Sequence, residues 1–404
     1  MQKGNKLRLF SLIFLVLVIA GYVSYCLLRP VQLLLPVQGP KNYSLASGIS
    51  QLTWPNVGQS AVGILGNNRL TAHGNLTPTQ TASVAKLITS LVVLKIKPIA
   101  PNQQGESITL GPNDLALYNK YVSEQGSVVP VVNGEVITEY QMLQAMLLPS
   151  ANNMADSLAI WAYGSLANYQ QAANAFLAAH NLSSTHVGSD ASGFDPSTTS
   201  NALDLVTLGM LSMNQPEIAD IVSQPAATGI PETVQVRNVN SLLGTNGIIG
   251  IKTGNTTQAG GVYVSASKII VNSKPVTIVT SLAAAPNLSS ALHDSLPLIQ
   301  SAQRNFSEVS VVHKGAEVAK YNLPWGGSIS VVAKKDLNVN AWNNAELNKT
   351  ISFYPIQNNT NVNSVVGTIS VEQPAVVQKT SVPLGLSGTI PKPSLWWRLT
   401  HPMT

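Results

Sequence analysis

Ser83-Val84-Ala85-Lys86-Leu87-Ile88-Thr89-Ser90-Leu91-Val92-Val93-Leu94-Lys95 contains neither glycine nor proline and is apolar over most of its length. A run of that texture predicts a helix buried inside a domain rather than lying on its surface. Upstream, Ser60–Leu65 and Arg69–Ala72 flank Gly66-Asn67-Asn68 and read as a β-hairpin. Downstream come helix candidates at Tyr140–Leu148 and Asn153–Tyr163, broken at Pro149, then at Asn168–His180 and Ala202–Met213. Gly261–Ser267, Lys268–Val271 and Val276–Ala283 read as strands, and Asn287–Phe306 as a last helix. Strands at both ends enclosing a helical middle predict an α+β domain with one antiparallel sheet. After Phe306 the runs Glu308–Val312, Ser328–Ala333, Ile351–Tyr354 and Val365–Val371 are short, β-branched and separated by turn residues, which predicts a small all-β domain over 308–390.

Only 10% of the 404 residues are charged, against roughly 25% in an average soluble domain, while 45% are hydrophobic. That excludes a disordered chain. The net charge of +5 is spread without a basic run, so no nucleic-acid partner is expected; a mildly basic envelope suits a membrane surface or a polyanionic wall. Cys26 is the only cysteine, which excludes a disulfide scaffold and Cys-based zinc or iron–sulfur sites. No pair of the six histidines has the spacing of a helical zinc motif, and no glycine-rich loop carries the Lys-Ser/Thr of a phosphate site. No metal and no cofactor are expected.

Leu9–Leu28 is uncharged and long enough to cross a bilayer. Lys3, Lys6 and Arg8 precede it and only Arg29 follows closely, which places residues 1–29 as a cytoplasmic stub and single transmembrane anchor with everything after it outside. A cleaved signal peptide is the competing reading, against which the run is long and Ser24-Tyr25-Cys26 is a poor cleavage site. Residues 30–48, with Pro30, Pro36 and Pro40, read as a linker lifting a catalytic domain, 49–307, off the membrane. In the tail, 391–404, Trp396 and Trp397 beside Arg398 suit the headgroup layer or packing on the β domain.

Three short motifs carry chemistry. In Ser83-Val-Ala-Lys86, residues three apart share a helix face, so a lysine kept dry enough to lose its proton can activate the serine. Ser265-Ala-Ser-Lys268 matches too, but in a predicted strand, where positions three apart face opposite ways. Ser150-Ala151-Asn152 sets a hydroxyl and an amide on a connecting loop, where either could instead cap the next helix; Ser212-Met-Asn214 is a decoy of the same form. Lys252-Thr253-Gly254 follows the apolar run Gly247–Ile251, as a strand at the edge of a site would, with glycine allowing a substrate backbone to approach.

In that chain order the three motifs are the signature set of the penicillin-recognising serine enzymes. The chain resembles their D-alanyl-D-alanine carboxypeptidases, the low-molecular-weight penicillin-binding proteins. Thr81–Leu94, Met142–Asp156 and Arg237–Gly260 are similar to that family's three motif regions, and Ser364–Ser370 weakly to its C-terminal domain. The resemblance implies a β-lactamase/transpeptidase-like fold and removal of the terminal D-alanine from peptidoglycan stem peptides, with β-lactams as covalent inhibitors. It implies Ser83 as nucleophile, Lys86 as base, Ser150 and Lys252 as proton relay, Asn152 and Thr253 as substrate contacts, and backbone N–H groups of Ser83 and Asn255, beside Gly254, as the oxyanion hole. A DD-endopeptidase or β-lactamase on the same fold, or a silent wall-binding protein, are the rivals. One departure stands out. Better-known members place an arginine before the last catalytic-domain helix to hold the substrate carboxylate, whereas here no arginine lies between Arg237 and Arg304 and that region offers only His293.

Overall fold

The computed structural model describes residues 2–31, 35–38, 51–66, 70–228, 230, 235–271, 273–342, 348–373 and 378–402. Chain contacts divide it into two units, one built on Ile49–Phe306, the other on residues 1–48 together with those from Ser307 onward. The sequence-based boundary at 48/49, Asn67 and Asn68 of the hairpin turn, and Arg69 at the start of its second strand lie outside the described residues.

The first unit is α+β. Its sheet uses β2 (Gln59–Ile64), β3 (Leu70–His73), β4 (Ile248–Thr256), β5 (Gly260–Val271) and β6 (Lys274–Ala285) in the order β4-β5-β6-β2-β3, every pair antiparallel. Between β3 and β4 the chain forms α2 (Lys86–Ile96), α3 (Pro112–Ser123), α4 (Glu139–Leu147), α5 (Asn152–Tyr163), α6 (Leu166–Ala179), α7 (Ala202–Asn214) and α8 (Pro216–Val222); α9 (Leu288–Arg304) follows β6. The helix α7 lies on one sheet face, where a Cβ on Gly209 would come within 2.8 Å of Val264 and Val279. Glycine there lets the helix sit down on the strands. A separate apolar cluster joins Ala291 and Ile299 of α9 to Ile248, Tyr263 and Leu282 of the sheet. The helix α2 is buried from Lys86 to Leu94, as an apolar run without a polar face requires.

Local detail departs from the sequence reading in three places. Ser83 lies in a 3-10 turn, Ala82–Ala85, that runs into α2. Gly261–Val271 is a single strand, because nothing between Ser267 and Lys268 turns the chain and pairing continues to Val271 opposite Lys274. The helix α3, absent from the sequence reading, half-buries Leu115, Leu117 and Tyr118 and fully buries only Tyr121; Pro112 at its start and Asp114, whose carboxylate accepts from Gly111 N–H at 2.7 Å, open it.

In the other unit α1 (Gln2–Leu28) contains an apolar stretch, Arg8–Leu28, long enough to span a bilayer. Its β part comprises β7 (Phe306–Val312), β8 (Glu317–Asn322), β9 (Ser328–Ala333), β10 (Leu337–Trp342), β11 (Asn348–Phe353), β12 (Gly367–Gln373) and β13 (Gln378–Leu386). These close around Val318, Tyr321, Val331, Ile369 and Leu384. Within the segment read as a tether, β1 (Val37–Gln38) pairs with β8, and Val31 exchanges bonds with Asn358, N–H to side chain at 3.1 Å and carbonyl from N–H at 3.0 Å. That part of the linker is therefore docked on the β unit, because unpaired edge-strand groups on β8 were available to it. The chain's last helix, α10 (Leu395–Thr400), packs against α1.

Candidate active site

Ser83 stands at the start of α2 on the 3-10 turn, where side chains three apart eclipse. Lys86 lies one such turn on and is fully buried, its Nζ 2.8 Å from Ser83 Oγ. Two further contacts complete its surroundings, Asn152 Oδ1 at 2.8 Å and the Ser192 carbonyl at 3.0 Å. Both of those oxygens can only accept. When the amine is neutral its lone pair therefore has to face Ser83, and the serine hydroxyl becomes the donor. Burial pushes the Lys86 amine down to about 7, opposed by the nearby carboxylates of Asp190 and Asp156. The arrangement is that of a serine beside a base poised near neutrality.

Ser150 and Asn152 come from the bend between α4 and α5. The residue in the capping position of α5 is Ala151, and no side chain caps the helix, so neither motif residue is spent on that task. Ser150 holds the left-handed conformation at φ 67°, and Ala82 beside Ser83 does so at φ 46°. Such backbone costs ~1–3 kcal/mol each and persists where packing enforces it. Ser150 Oγ accepts from Lys252 Nζ at 3.0 Å, and the Thr253 carbonyl takes a second bond from the same amine, also at 3.0 Å. Lys252 is fully buried; desolvation first, and then the neighbouring Lys86 charge, pull its amine well below the ordinary lysine range.

Lys252, Thr253, Gly254 and Asn255 lie on β4, an edge strand of the sheet, so one row of its backbone groups has no strand partner. Gly254 is needed for a different reason from the one its sequence context implies. A Cβ there would stand 2.8 Å from the Thr81 carbonyl, 3.1 Å from Ala82 Cβ and 3.2 Å from Ser83 N. The glycine admits the 3-10 turn of Ser83 against the strand, which carries the Asn255 end of β4 to Ser83. Gly193 does likewise from the other side, since a Cβ on it would meet the Ala82 carbonyl at 2.1 Å.

Ser83, Asn152 and Asn255 open on a cleft of about 640 Å³ whose other walls are Lys120 and Glu124 from the end of α3, Gly126-Ser127, and the loop Ser189–Pro196. His293 is exposed on α9 and does not line the cleft. Of the decoys, Ser265 is buried with its hydroxyl bonded to Thr280, while Ser212 is buried in α7 and bonds the Leu208 carbonyl.

Sequence reasoning missed the residues that hold this arrangement. Asp190 accepts from the N–H groups of Ser192 at 2.8 Å, Gly193 at 2.7 Å and Asp195 at 2.6 Å, which shapes the loop whose Ser192 carbonyl meets Lys86. Asp156 accepts from Tyr121 Oη at 2.6 Å and Ala191 N–H at 2.9 Å; burial raises its carboxyl to about 6, and the Tyr121 bond opposes that rise. The run Ser189-Asp-Ala-Ser-Gly-Phe-Asp-Pro196 does carry a turn signal, but nothing local tells which lysine it serves.

Comparison with known proteins converges on the same region. The chain is 26% identical to "D-alanyl-D-alanine carboxypeptidase DacD" of Salmonella typhimurium over 259 residues, which is 64% of this chain and 65% of that protein. The match thus spans just under two thirds of the relative. Among solved structures, penicillin binding protein 6B from Escherichia coli aligns over 87% of this chain and all of its own, with a TM-score of 0.60 at 19% identity. The Streptomyces K15 DD-transpeptidase aligns over 63% of this chain and 98% of its own, with a TM-score of 0.54 at 22% identity. At those identities the structural likenesses speak for the fold. The profile of the D-alanyl-D-alanine carboxypeptidases matches residues 65–283, a stretch that holds all three motifs and more than half of the chain, and this protein belongs to that family.

Proposed function

We propose that the protein is a serine-type D-Ala–D-Ala carboxypeptidase acting on peptidoglycan stem peptides. The observation that carries this is the buried Lys86 amine bonded to both Ser83 and Asn152, with Ser150 and Lys252 alongside, at a cleft onto which Ser83 and Asn152 open. A stem peptide would lie extended along the free edge of β4, as strands are added to a sheet. Ser83 Oγ attacks the carbonyl carbon of the D-Ala–D-Ala bond and its proton passes to Lys86 Nζ. The oxyanion is met by the backbone N–H groups of Ser83 and Asn255, a contribution worth several kcal/mol in acyl transfer. Asn152 holds the substrate amide, its Oδ1 already committed to Lys86. As the C–N bond breaks, the leaving amine takes a proton through Ser150, supplied from the Lys86–Lys252 pair. Water then attacks the ester and gives a proton to Lys86, which passes it to Ser83 Oγ as the acyl–oxygen bond breaks.

With no arginine at the carboxylate end, Thr253 and Lys252 are the groups at hand. An incoming carboxylate would favour the charged form of Lys252, against the pull of burial. One hydroxyl bond to a charged group contributes ~1.5–3 kcal/mol, so selectivity for a free terminal carboxylate should be relaxed, with amidated peptides cleaved slowly. On this reading α1 is a single uncleaved anchor with the catalytic unit on the extracytoplasmic side, supported by the basic residues before it.

Fluorescent penicillin followed by peptide mapping tests the assignment, because a β-lactam presents the same carbonyl and leaves an ester on the nucleophile. Label is expected on Ser83 and absent in Ser83→Ala. Label on any other serine, or none, would overturn the site.

A further inference from the structure

The last helix of the chain closes on the end of the apolar one. Arg398 Nη1 donates to the carbonyls of Cys26 at 3.1 Å, Leu27 at 2.9 Å and Arg29 at 2.9 Å. These are the carbonyls that the end of a helix leaves without intrahelical donors, where the macrodipole is also negative. A single cation from the far end of the sequence satisfies them. Two more contacts tie the pair: Tyr22 Oη donates to the Leu399 carbonyl at 2.7 Å, and the Arg29 guanidinium donates to the His401 carbonyl. Cys26 is wholly buried, although Tyr25 beside it is 59% exposed and Leu28 83%. Trp397 completes the joint, edge-on to Trp325 of the β8–β9 turn at 5.5 Å and stacked on His401 at 4.8 Å. The outward side of α10 is left with Leu395 and Trp396, 68% and 76% exposed.

Six residues are too few to bind a bilayer alone, so α10 is no independent anchor. Its bonds would also have no purpose in a chain cleaved after α1, because Arg398 would lose Cys26 and Leu27 and Leu399 would lose Tyr22. The exposed apolar pair stands beside the outer end of a helix that ends at Leu28, the level at which tryptophan favours the boundary between hydrocarbon and water. We propose that residues 394–401 are a clamp that caps the retained outer end of α1 and sets the β unit at the bilayer surface, with Leu395 and Trp396 in the lipid headgroup layer. The clamp rests on the reading of α1 as an uncleaved membrane span. It ties the outer end of the span to the β unit through Arg398, Tyr22 and Trp397.

The native cysteine supplies the test, since it is single and lies under α10. Full-length protein in vesicles of phosphatidylethanolamine and phosphatidylglycerol is treated with a water-soluble maleimide. Cys26 should label at least tenfold more slowly in the native chain than in Arg398→Ala or in a chain ending at Pro393. The point substitution guards against a shortened chain that does not fold, with circular dichroism as the control. In parallel, bromine near the glycerol end of the acyl chains should quench the part of the tryptophan emission that Trp396→Phe removes. Equal labelling in all three proteins overturns the clamp, and a Trp396 that brominated lipid leaves unquenched overturns the headgroup contact. Release of the native protein by alkaline carbonate would sink the membrane-span reading itself, separately from the other two results.

Discussion

The pH dependence of Ser83 acylation offers the sharpest test of the proposed mechanism, because it measures what burial does to Lys86. An exposed lysine titrates near 10.4, so below pH 9 its neutral fraction, and any rate that needs it, would climb tenfold per pH unit without a plateau. Between pH 6 and 8 that is about a hundredfold. With the amine at about 7, the neutral fraction is about 9% at pH 6 and about 91% at pH 8, so the rate should rise about tenfold and then level off. The midpoint belongs to the Lys86–Lys252 pair, since a proton on either amine disfavours one on the other. The assay is stopped-flow acylation by a fluorescent penicillin from pH 5.5 to 9.5 at constant ionic strength. Continued log-linear rise above pH 8.5 would refute the claim that burial has lowered the amine; a flat profile would mean that Lys86 is not the base. The same shift bears on stability. The folded-state amine is depressed below its unfolded value of 10.5, so between about 7 and 10.5 the unfolded chain holds the extra proton. Stability should therefore climb with pH across that window, by at most ~1.4 kcal/mol per unit from this group, and be flat in it below pH 7.

Three further expectations follow from the geometry. Gly254→Ala puts a methyl 2.8 Å from the Thr81 carbonyl and should cut acylation at least tenfold while circular dichroism stays native; unchanged acylation would mean the strand and the nucleophile turn are not locked together. Asp156→Asn removes an anion that holds Lys86 up, yet keeps an oxygen for Ala191 N–H, so the acylation midpoint should move to lower pH, and a move the other way contradicts the electrostatic account. His293→Ala should leave the ratio of free-acid to amidated peptide cleavage unchanged from pH 5.5 to 8.5, since the imidazole stands outside the cleft; a ratio that collapses would restore it as the carboxylate's partner.

What the sequence determined by itself was whatever depends on neighbours along the chain. The unbroken apolar run after Ser83 pointed to a buried helix, Pro149 to a break between α4 and α5, and three short motifs, two of them matched elsewhere in the chain, marked the family by their order. The β unit was partly legible: its β-branched runs at 308–312, 328–333, 351–354 and 365–371 stood out, while β8, β10 and β13 are polar enough on one side to pass as loop. Tertiary structure alone decided the rest, because electrostatics and close packing depend on distance in space. The apolar run predicts a dry setting for Lys86, but nothing local shows that Lys252 is buried as fully, or that the two amines are close enough for the charge of Lys86 to lower that of Lys252. Asp156 and Asp190 carry no motif, and their part in the site rests on the bonds that shape the loop reaching Lys86. Gly254 looked like room for a substrate, and the nucleophile's own turn takes that room. Arg398 and the carbonyl of Cys26 lie 372 residues apart, a separation across which sequence periodicity carries no information and a single helix end needs only a donor.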